Sequence, residues 1–381
     1  MNFIHISDIH FGKGDFTTLR SQEKTKELCN LIKENGISTI NSLVVTGDLI
    51  YARNDKNRNE KNLDDLKNYI TEILAHFSCN EANLYIVPGN HDIERDNRRK
   101  RLCNTLRQKY NHQEGLREDA YTQLSIGFNA FSYFINSIYG YEYDLHTRLE
   151  KGGDYNYLLI NTALICAQDL EDRSLIVDIK QIQKALKQGS LSIPTIALGH
   201  HPVECIRPEE RSQLLQLFAD YNVKMYLCGH DHAMRIDLID PYHSIYQCQC
   251  GTLMSRNPDG SDTDMMIYAG MLDNQTSGQI LAIKWDRRFN TWMPDGGVSY
   301  ANNKKTDGII KIGLSEINDC LNQTREFLRN YGSTISKEVL SNYLKRFSCP
   351  THEVITTLVN QKFLTYIGRN TYRIDRSGSY E

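Results

Sequence analysis

The stretch that decides the fold is FIHISDIHFG at residues 3–12, in which an apolar run ends in a carboxylate and an imidazole. Alternate side chains of an extended strand point to the same face, so Asp8 and His10 lie on one side of the chain. A carboxylate and an imidazole that face the same way at the end of a buried strand are a natural start to a metal site. Because Asp-x-His is common by chance, the pair predicts such a site only if the chain supplies further ligands.

Four more apolar runs end in acidic, amide or imidazole side chains. The five motifs are Asp8-x-His10, Gly47-Asp48, Gly89-Asn90-His91-Asp92, Gly199-His200-His201-Pro202 and Gly229-His230-x-His232. In open α/β sheets, ligands gather beyond the carboxyl ends of the strands, and the adjacent glycines permit the tight turns that bring such side chains together. Each motif alone is more often a turn, a helix cap or a hydrogen-bonded core histidine. Five in order, all at strand ends, predict one shared site.

The spacing of the apolar runs predicts an α/β fold. Short aliphatic runs typical of buried strands alternate with amphipathic stretches, such as TKELCNLIKENG at 25–36, which ends in a helix-capping glycine. From about residue 244 the pattern becomes β-rich, which predicts a second sheet packed on the first. We place a catalytic domain at 1–300, with an insertion at about 94–150.

A smaller unit is predicted at 306–381. Helices are expected at 314–331, 337–347 and 352–362, followed by two short strands around the turn Gly368-Arg369-Asn370. Three helices and a terminal hairpin in roughly 70 residues resemble a winged helix, a variant of the helix-turn-helix. The predicted recognition helix is sparse in charge, so contact with DNA and contact with a protein or a second copy of the chain are both open.

Bulk composition excludes several classes of protein. With 24% charged residues and a mean hydropathy of -0.51, the chain is typical of a globular protein, and no run approaches the roughly 18 apolar residues of a membrane span. No signal peptide is expected at the first residues, because Asp8 and His10 interrupt the apolar stretch. The ten cysteines are scattered, which predicts a reduced, cytoplasmic protein without a disulfide framework. Net charge is about -7 before residue 304 and about +4 after it, which weakly favours an anionic partner for the basic tail.

The ordered motifs resemble those of the calcineurin-like metallophosphoesterase superfamily over roughly residues 1–285. The resemblance implies a four-layer α-β-β-α sandwich of two packed mixed sheets and a site for two divalent ions. By resemblance, the first ion is held by Asp8, His10, Asp48 and His232, and the second by Asp48, Asn90, His200 and His230. Mixed nitrogen and oxygen ligands suit manganese, which we favour, or Fe, Zn or Co. Two such ions would clamp a phosphate and activate a bridging hydroxide.

The resemblance also implies roles beside the metals. In the family, His91 stabilises the transition state or protonates the leaving group, and Asp92 orients it; the alternative for His91 is a hydrogen bond to a metal ligand. His-x-Pro is the usual family form, so His200 is the expected ligand, and His201 is a neighbour that contacts substrate. Tyr51 stands where many relatives carry an acid or amide, which leaves the subfamily open.

Two segments bear on the substrate. The basic run at 95–109 follows the third motif directly, and Arg95, Arg98, Arg99 and Arg101 are predicted to grip phosphates; a solvated helix face is equally compatible. The tyrosine-rich stretch 131–144 is expected to pack on the core rather than to stack on bases.

Three functions are therefore compared. We favour a dinuclear phosphodiesterase that acts as a nuclease on DNA, followed by a phosphodiesterase of cyclic or other small nucleotides. The third is a non-catalytic interaction module on the same fold, which the complete ligand set argues against. A nucleic acid or nucleotide is the expected partner, and no membrane association is expected.

Overall fold

The structure is a computed structural model and describes most of the chain. The described residues are 1–11, 21–50, 60–94, 96–111, 114–167, 174–240, 243–253, 264–273, 278–300, 308–312, 314–346, 351–360 and 362–375. Two residues singled out above, Tyr51 and Arg95, lie outside these ranges.

Helices and strands alternate as the sequence predicts. The helices are α1 (Gln22–Glu34), α2 (Glu60–His76), α3 (Asn97–Lys109), α4 (Glu118–Ser125), α5 (Asn129–Tyr139), α6 (Ile179–Leu186), α7 (Pro208–Asp220), α8 (Leu314–Arg329), α9 (Lys337–Arg346) and α10 (Thr351–Asn360). The strands are β1 (Asn2–Ile6), β2 (Ser42–Thr46), β3 (Leu84–Val87), β4 (Arg148–Lys151), β5 (Asn156–Leu159), β6 (Thr195–Leu198), β7 (Val223–Cys228), β8 (Arg235–Asp240), β9 (Ile245–Gln249), β10 (Met266–Leu272), β11 (Gly278–Asp286), β12 (Thr291–Pro294), β13 (Ser299–Tyr300), β14 (Ile309–Ile312), β15 (Thr334–Ser336), β16 (Leu364–Gly368) and β17 (Thr371–Ile374).

Two seven-stranded mixed sheets form the body of the protein. The first has the order β12-β11-β10-β1-β2-β3, with β14 paired to β11, and the second has the order β13-β8-β9-β7-β6-β5-β4. In the first sheet β1, β2 and β3 are parallel neighbours, and in the second β5, β6, β7 and β9 are parallel. The β-rich segment after 244 does not form a sheet of its own. Strand β9 joins the second sheet and β10 pairs antiparallel with β1, so the segment completes both sheets.

The two sheets pack face to face with helices outside. Their shared core contains Phe3 and Val44 from one sheet and Leu159 and Ile196 from the other, all at most 1% exposed. A second core lies under the helices and buries the apolar sides of both α1 and α6. The predicted four-layer sandwich is confirmed. The insertion forms helices α3 to α5, and the tyrosine-rich stretch packs as predicted, since Phe131 and Phe134 are buried.

The C-terminal elements lie close to their predicted positions. Helices α8, α9 and α10 bury one apolar cluster with the three-stranded sheet β15-β17-β16. The order helix, strand, two helices and hairpin is compatible with a winged helix, which stays a prediction. Strand β14, at 309–312, pairs with β11 of the first sheet, so the two-sheet body extends beyond residue 306, the predicted start of the tail. The sequence missed this because a run of only four residues carries little strand signal.

Two bulk predictions can be compared with the described residues. Eight cysteines are free thiols, but Cys320 is disulfide-bonded, which differs from the expectation of a fully reduced chain. Among the described helices, no candidate meets the length and hydropathy needed to cross a bilayer.

Candidate metal centre

All five motifs lie at the carboxyl ends of neighbouring parallel strands. The turns after β1, β2 and β3 carry the first three motifs, and the turns after β6 and β7 carry the last two. Backbone hydrogen bonds tie the turns to each other: Asp8 N–H donates to the Gly47 carbonyl at 3.1 Å, and Gly229 N–H to the His200 carbonyl at 2.8 Å. The two sheets thus bring the ends of five strands to one place.

The backbone is strained where the side chains converge. Five residues have left-handed φ values, namely Asp8 (53°), His10 (50°), Asp48 (53°), His230 (82°) and His232 (58°). For a non-glycine residue this conformation costs roughly 1–2 kcal/mol. Such strain persists where the surrounding structure holds it and is concentrated at functional sites. All five residues belong to the predicted ligand set.

The first predicted set forms a compact group. His10 Nε2 lies 2.9 Å from His232 Nε2, 3.7 Å from Asp8 Oδ1 and 3.6 Å from Asp48 Oδ2. His232 Nε2 is 3.4 Å from Asp8 Oδ1. Atoms bound to one ion at about 2.0–2.2 Å are separated by roughly these distances.

The second predicted set forms an adjacent group. Asn90 Oδ1 lies 2.9 Å from His200 Nε2 and 3.2 Å from His230 Nδ1. His200 Nε2 is also 3.4 Å from Asp48 Oδ2, the same oxygen that approaches His10 in the first group. Asp48 therefore has one oxygen at the junction of both groups, where a bridging ligand must be.

Hydrogen bonds fix His200 in the form that binds metals. Its Nδ1 lies 2.8 Å from the carbonyl oxygen of Thr46, which can only accept, so Nδ1 carries the proton. In the neutral ring the lone pair is then on Nε2, the atom that faces Asn90 and Asp48. A second hydrogen bond of this kind is typical of histidines that bind metals.

Burial and mutual charge set the ionisation of the group. Burial would raise the pKa of Asp48, but His200 and His10 hold it well below its usual range. Burial lowers the pKa of His10 to about 3 against the opposing effect of Asp48. Burial also disfavours a charged His200, yet Asp48 outweighs it and raises the pKa of His200 to about 10. A buried carboxylate that attracts a proton so strongly is suited to attract a cation instead.

The residues fit divalent ions. Asp8 Oδ1 is buried, and although His232 Nε2 lies 3.4 Å away, this oxygen makes no well-directed hydrogen bond among the described residues. Its other oxygen accepts from the Ser7 hydroxyl at 2.6 Å and from His230 N–H at 2.9 Å, which orients Oδ1. Ligand atoms close enough to hold an ion occur in both regions: Asp8, His10 and His232 form one triad, and His200 and His230 form another together with the neighbouring His201. The donor set of imidazoles, carboxylates and one amide suits Mn, Fe, Zn or Co.

His91 lies beside this group, and its neighbour Asp92 lies beneath it. The His91 ring is half-buried and packs edge-on against His10, with 4.8 Å between centroids. Its backbone N–H donates to Asp48 Oδ1 at 2.7 Å. Asp92 accepts from the N–H groups of Ile50 and Gly89, both at 2.8 Å, and burial raises its pKa to about 7. The carboxylate of Asp92 thus joins two loops of the site, and its predicted role in orienting His91 stays a prediction.

The predicted substrate arginines separate into two kinds. Arg98 and Arg101 are exposed on α3, whereas Arg99 is only 6% exposed. The Arg99 guanidinium donates to the carbonyls of Cys166 (3.0 Å), Leu124 (2.6 Å) and Leu164 (2.6 Å). The prediction that Arg99 grips substrate is wrong, because the guanidinium is occupied by one backbone carbonyl of the insertion and by two carbonyls of residues 164–166. A run of basic residues in the sequence does not show which of two adjacent helix positions is buried and which is exposed.

Sequence reasoning missed several residues that support the site. Thr46 accepts from His200, Ser7 donates to Asp8, and the Thr252 hydroxyl donates to the Asp8 carbonyl at 2.6 Å. Thr162, after β5, contacts both His200 and His201. Ser7 directly precedes the first motif, so its supporting role could have been suspected from the sequence. Thr162 and Thr252 lie outside all five motifs, and no nearby residue pattern indicates their contacts.

Comparison with known proteins decides the family. The family model for calcineurin-like phosphoesterases matches residues 1–234, more than half of the chain. The chain belongs to the calcineurin-like phosphoesterase family. Members of this family are metal-dependent hydrolases of phosphoesters that bind two divalent ions.

The chain is also similar to individual proteins. The chain is 30% identical over 243 residues to the uncharacterized metallophosphoesterase-like protein YydB of Bacillus subtilis, covering 61% of this chain and 49% of the relative. It is 24% identical over 236 residues to human tartrate-resistant acid phosphatase type 5, covering 58% of this chain and 63% of the relative. The chain thus spans about half the length of the first relative and less than two thirds of the second. A 5'-nucleotidase from Candida albicans matches in structure with a TM-score of 0.41 and 12% identity, over 76% of this chain and 55% of that one.

Proposed function

We propose that this chain is a dinuclear phosphodiesterase that uses Mn²⁺ and acts as a nuclease on DNA. The two predicted ligand sets would hold the ions, with Asp48 shared. The observation that carries the proposal is the position of Asp48 Oδ2, 3.6 Å from His10 Nε2 and 3.4 Å from His200 Nε2. Bound there, two ions would polarise the phosphoryl group and generate the hydroxide that attacks phosphorus.

His91 is proposed as the group that assists the reacting phosphate. The His91 ring is half-buried, so it can meet a substrate that enters from solvent. Either a hydrogen bond to the phosphoryl oxygens or a proton given to the leaving oxygen would lower the barrier.

We expect His91→Asn to lower kcat by about 10²- to 10⁴-fold while both ions remain bound. The backbone N–H that donates to Asp48 is kept, so the metal ligands keep their support. Steady-state hydrolysis of bis-p-nitrophenyl phosphate and elemental analysis of metal content measure the two effects. His243→Asn, on an exposed turn where His243 pairs with Asp240, is the control. A near-normal rate with full metal content would exclude this role for His91.

The substrate class rests on charge outside the metal site. Arg98 and Arg101 are exposed, three residues apart on one face of α3, and α3 begins five residues after Asp92. Exposed arginines close in sequence to the site suit a polyanion longer than one phosphate. Arg99 is buried and Arg95 lies outside the described residues. The preference for DNA over smaller substrates therefore rests on Arg98 and Arg101.

The double variant Arg98→Ala/Arg101→Ala should weaken DNA binding by about tenfold and flatten the dependence of log K on log salt by up to about 2. Hydrolysis of bis-p-nitrophenyl phosphate should be unchanged, because the metal ligands are untouched. Fluorescence anisotropy with catalysis blocked by Asp48→Asn gives the affinities. Arg117→Ala, an exposed arginine of the same insertion, is the matched control. An unaltered salt slope would remove α3 from the DNA site.

One assay separates the substrate classes. The Mn²⁺-loaded protein is offered single- and double-stranded DNA, a cyclic nucleotide, bis-p-nitrophenyl phosphate and p-nitrophenyl phosphate, with Asp48→Asn as the blank. Cleavage of DNA supports the nuclease. Turnover of the small diesters alone supports the second candidate, a small-nucleotide phosphodiesterase, which the loss of Arg99 from the basic surface favours. Turnover of the monoester alone would indicate a phosphomonoesterase, as in acid phosphatases. Absence of turnover on all five substrates would support the third candidate, a non-catalytic interaction module.

The C-terminal unit is proposed to contact DNA through α10 and the hairpin β16–β17. Val354 and Leu358 are buried, which leaves His352 and Asn360 exposed on α10. The hairpin adds exposed Arg369 and Arg373. Truncation after residue 312 should weaken DNA binding several-fold and leave hydrolysis of bis-p-nitrophenyl phosphate intact. If truncation leaves DNA affinity unchanged but converts a dimer into a monomer, the unit mediates self-association. If truncation changes neither DNA affinity nor oligomeric state, a protein partner is the better hypothesis.

A further inference from the structure

The Thr162 hydroxyl lies at the centre of a small hydrogen-bond cluster behind the metal site. The backbone N–H groups of His200 and His201 donate to Thr162 Oγ1 at 3.1 and 3.2 Å. The ring atom Nδ1 of His201 lies 3.0 Å from the same oxygen. All three residues are fully buried, so water does not compete for these contacts.

The number of hydrogen bonds at this hydroxyl fixes the tautomer of His201. A hydroxyl oxygen has two lone pairs and one hydrogen. The two backbone N–H groups occupy both lone pairs, so the remaining contact is made by the Thr162 hydrogen, and His201 Nδ1 must accept it. The His201 ring is then neutral with its proton on Nε2, the opposite arrangement to His200, whose proton is on Nδ1.

This tautomer leaves His201 with an unused donor. Nε2 of His201 is buried and has no hydrogen-bond partner among the described residues. The ring lies against two residues of the second ligand set, with centroids 4.8 Å from His200 and 4.6 Å from His230. A buried N–H without an acceptor costs about 1–3 kcal/mol. A bound ligand that brings an oxygen would remove this cost.

The backbone of His201 is also held in place. The hydroxyl of Tyr226, on β7, donates to the His201 carbonyl at 2.6 Å, and Pro202 follows directly. A donor with a fixed tautomer and a fixed backbone is preorganised, which strengthens its interaction with developing or fixed negative charge.

We propose that His201 is a neutral hydrogen-bond donor, through Nε2–H, to a phosphoryl oxygen of the bound substrate, and that Thr162 is the positioning residue that sets its tautomer. The proposal rests on the proposed phosphoesterase function. A protonated Nε2 cannot bind a cation, so His201 is excluded from the ligand set although it is adjacent to His200. This gives the second histidine of the motif a task different from that of the first.

The tautomer can be measured without catalysis. Long-range ¹H–¹⁵N spectra of the full chain, labelled at histidine and loaded with diamagnetic Zn²⁺, report which ring nitrogen is protonated, and His201→Gln identifies the signals. We expect protonated Nε2 and unprotonated Nδ1 for His201, and a shift of the Nε2–H proton when inorganic phosphate is added. An unprotonated Nε2, or no response to phosphate at saturation, would overturn the proposal. This readout stands even if no phosphodiester is turned over, so the two failures are distinguishable.

Variants then test the consequence. His201→Gln retains a side-chain N–H near the position of Nε2 and should stay within about threefold of the wild-type kcat/KM. His201→Leu removes the donor and should lose about 10- to 100-fold, with two ions still bound. Thr162→Ser should keep the wild-type tautomer of His201, whereas Thr162→Val should lose it. If Thr162→Val does not fold, the comparison of His201→Gln with His201→Leu tests the proposal. Loss of an ion in His201→Leu would show that His201 is a metal ligand, and equal activity of the Gln and Leu variants would show that the donor is unused.

Discussion

Replacing Asp48 by Asn should reduce phosphodiester turnover by about 10³-fold or more and lower the number of bound ions. Asp48 uses its two oxygens differently. Oδ1 accepts from His91 N–H at 2.7 Å, whereas Oδ2 faces His10 and His200. In the Asp48→Asn variant the amide oxygen can keep the first contact, so an NH₂ group replaces Oδ2. An amide nitrogen cannot bridge two cations, and losing their stabilisation costs several kcal/mol at the transition state.

The measurements are turnover in Mn²⁺ and metal content per chain. Asp220→Asn is the control with the same change in charge, since Asp220 is exposed just before the start of β7, at the end opposite to the site. We expect near-normal thermal unfolding of Asp48→Asn without metal, because the isosteric amide preserves the backbone contact. Full activity with two ions in Asp48→Asn would contradict the bridging assignment.

Replacing Arg99 by Met should destabilise the protein by about 3–5 kcal/mol. Arg99 is buried and donates to three carbonyls, and its guanidinium also lies 5.3 Å from the ring of Phe128. These contacts join α3 to the end of α4 and to residues 164–166. Methionine keeps most of the volume but donates nothing, so three buried carbonyls each lose a charged hydrogen-bond donor. Urea unfolding at equilibrium measures the change.

Arg98→Met is the matched control one position earlier on α3. Arg98 is exposed, and surface substitutions of this kind change the free energy of unfolding by about 0.5 kcal/mol or less. Arg99→Met should retain DNA affinity at temperatures where it is folded, and Arg98→Met should lose some. The reverse pattern, with Arg99→Met stable but weak in binding, would restore the original prediction that Arg99 grips phosphate.

The ligand residues were accessible to sequence reasoning for a local reason. Each follows a short apolar run and stands beside a glycine or close to the strand end, so the strand, the turn and the type of side chain are read within a few letters. The structure brings Asp8, Asp48 and His200 to within hydrogen-bonding or ion-pair distance of the predicted partners. The sandwich was likewise predictable from the alternation of strands and helices together with the family resemblance.

Other features depended on partners far away in the chain. Arg98 and Arg99 are adjacent and chemically identical, yet carbonyls supplied by residues 124, 164 and 166 bury one of them. Strands β9 and β10 look alike in sequence, but one pairs in each sheet. Asp92 accepts two backbone N–H groups from different loops, which the sequence did not indicate.

Short segments of sequence were enough to predict the strands and the polar residues at their ends, and the family resemblance added the ligand roles and the class of chemistry. Only the tertiary structure shows that the two oxygens of Asp48 have different neighbours, that backbone carbonyls occupy the Arg99 guanidinium, and that the Thr162 hydroxyl contacts Nδ1 of His201. Each of these depends on which donors and acceptors meet across separate loops. Hydrogen bonds act over about 3 Å, so partners distant in sequence leave no local pattern.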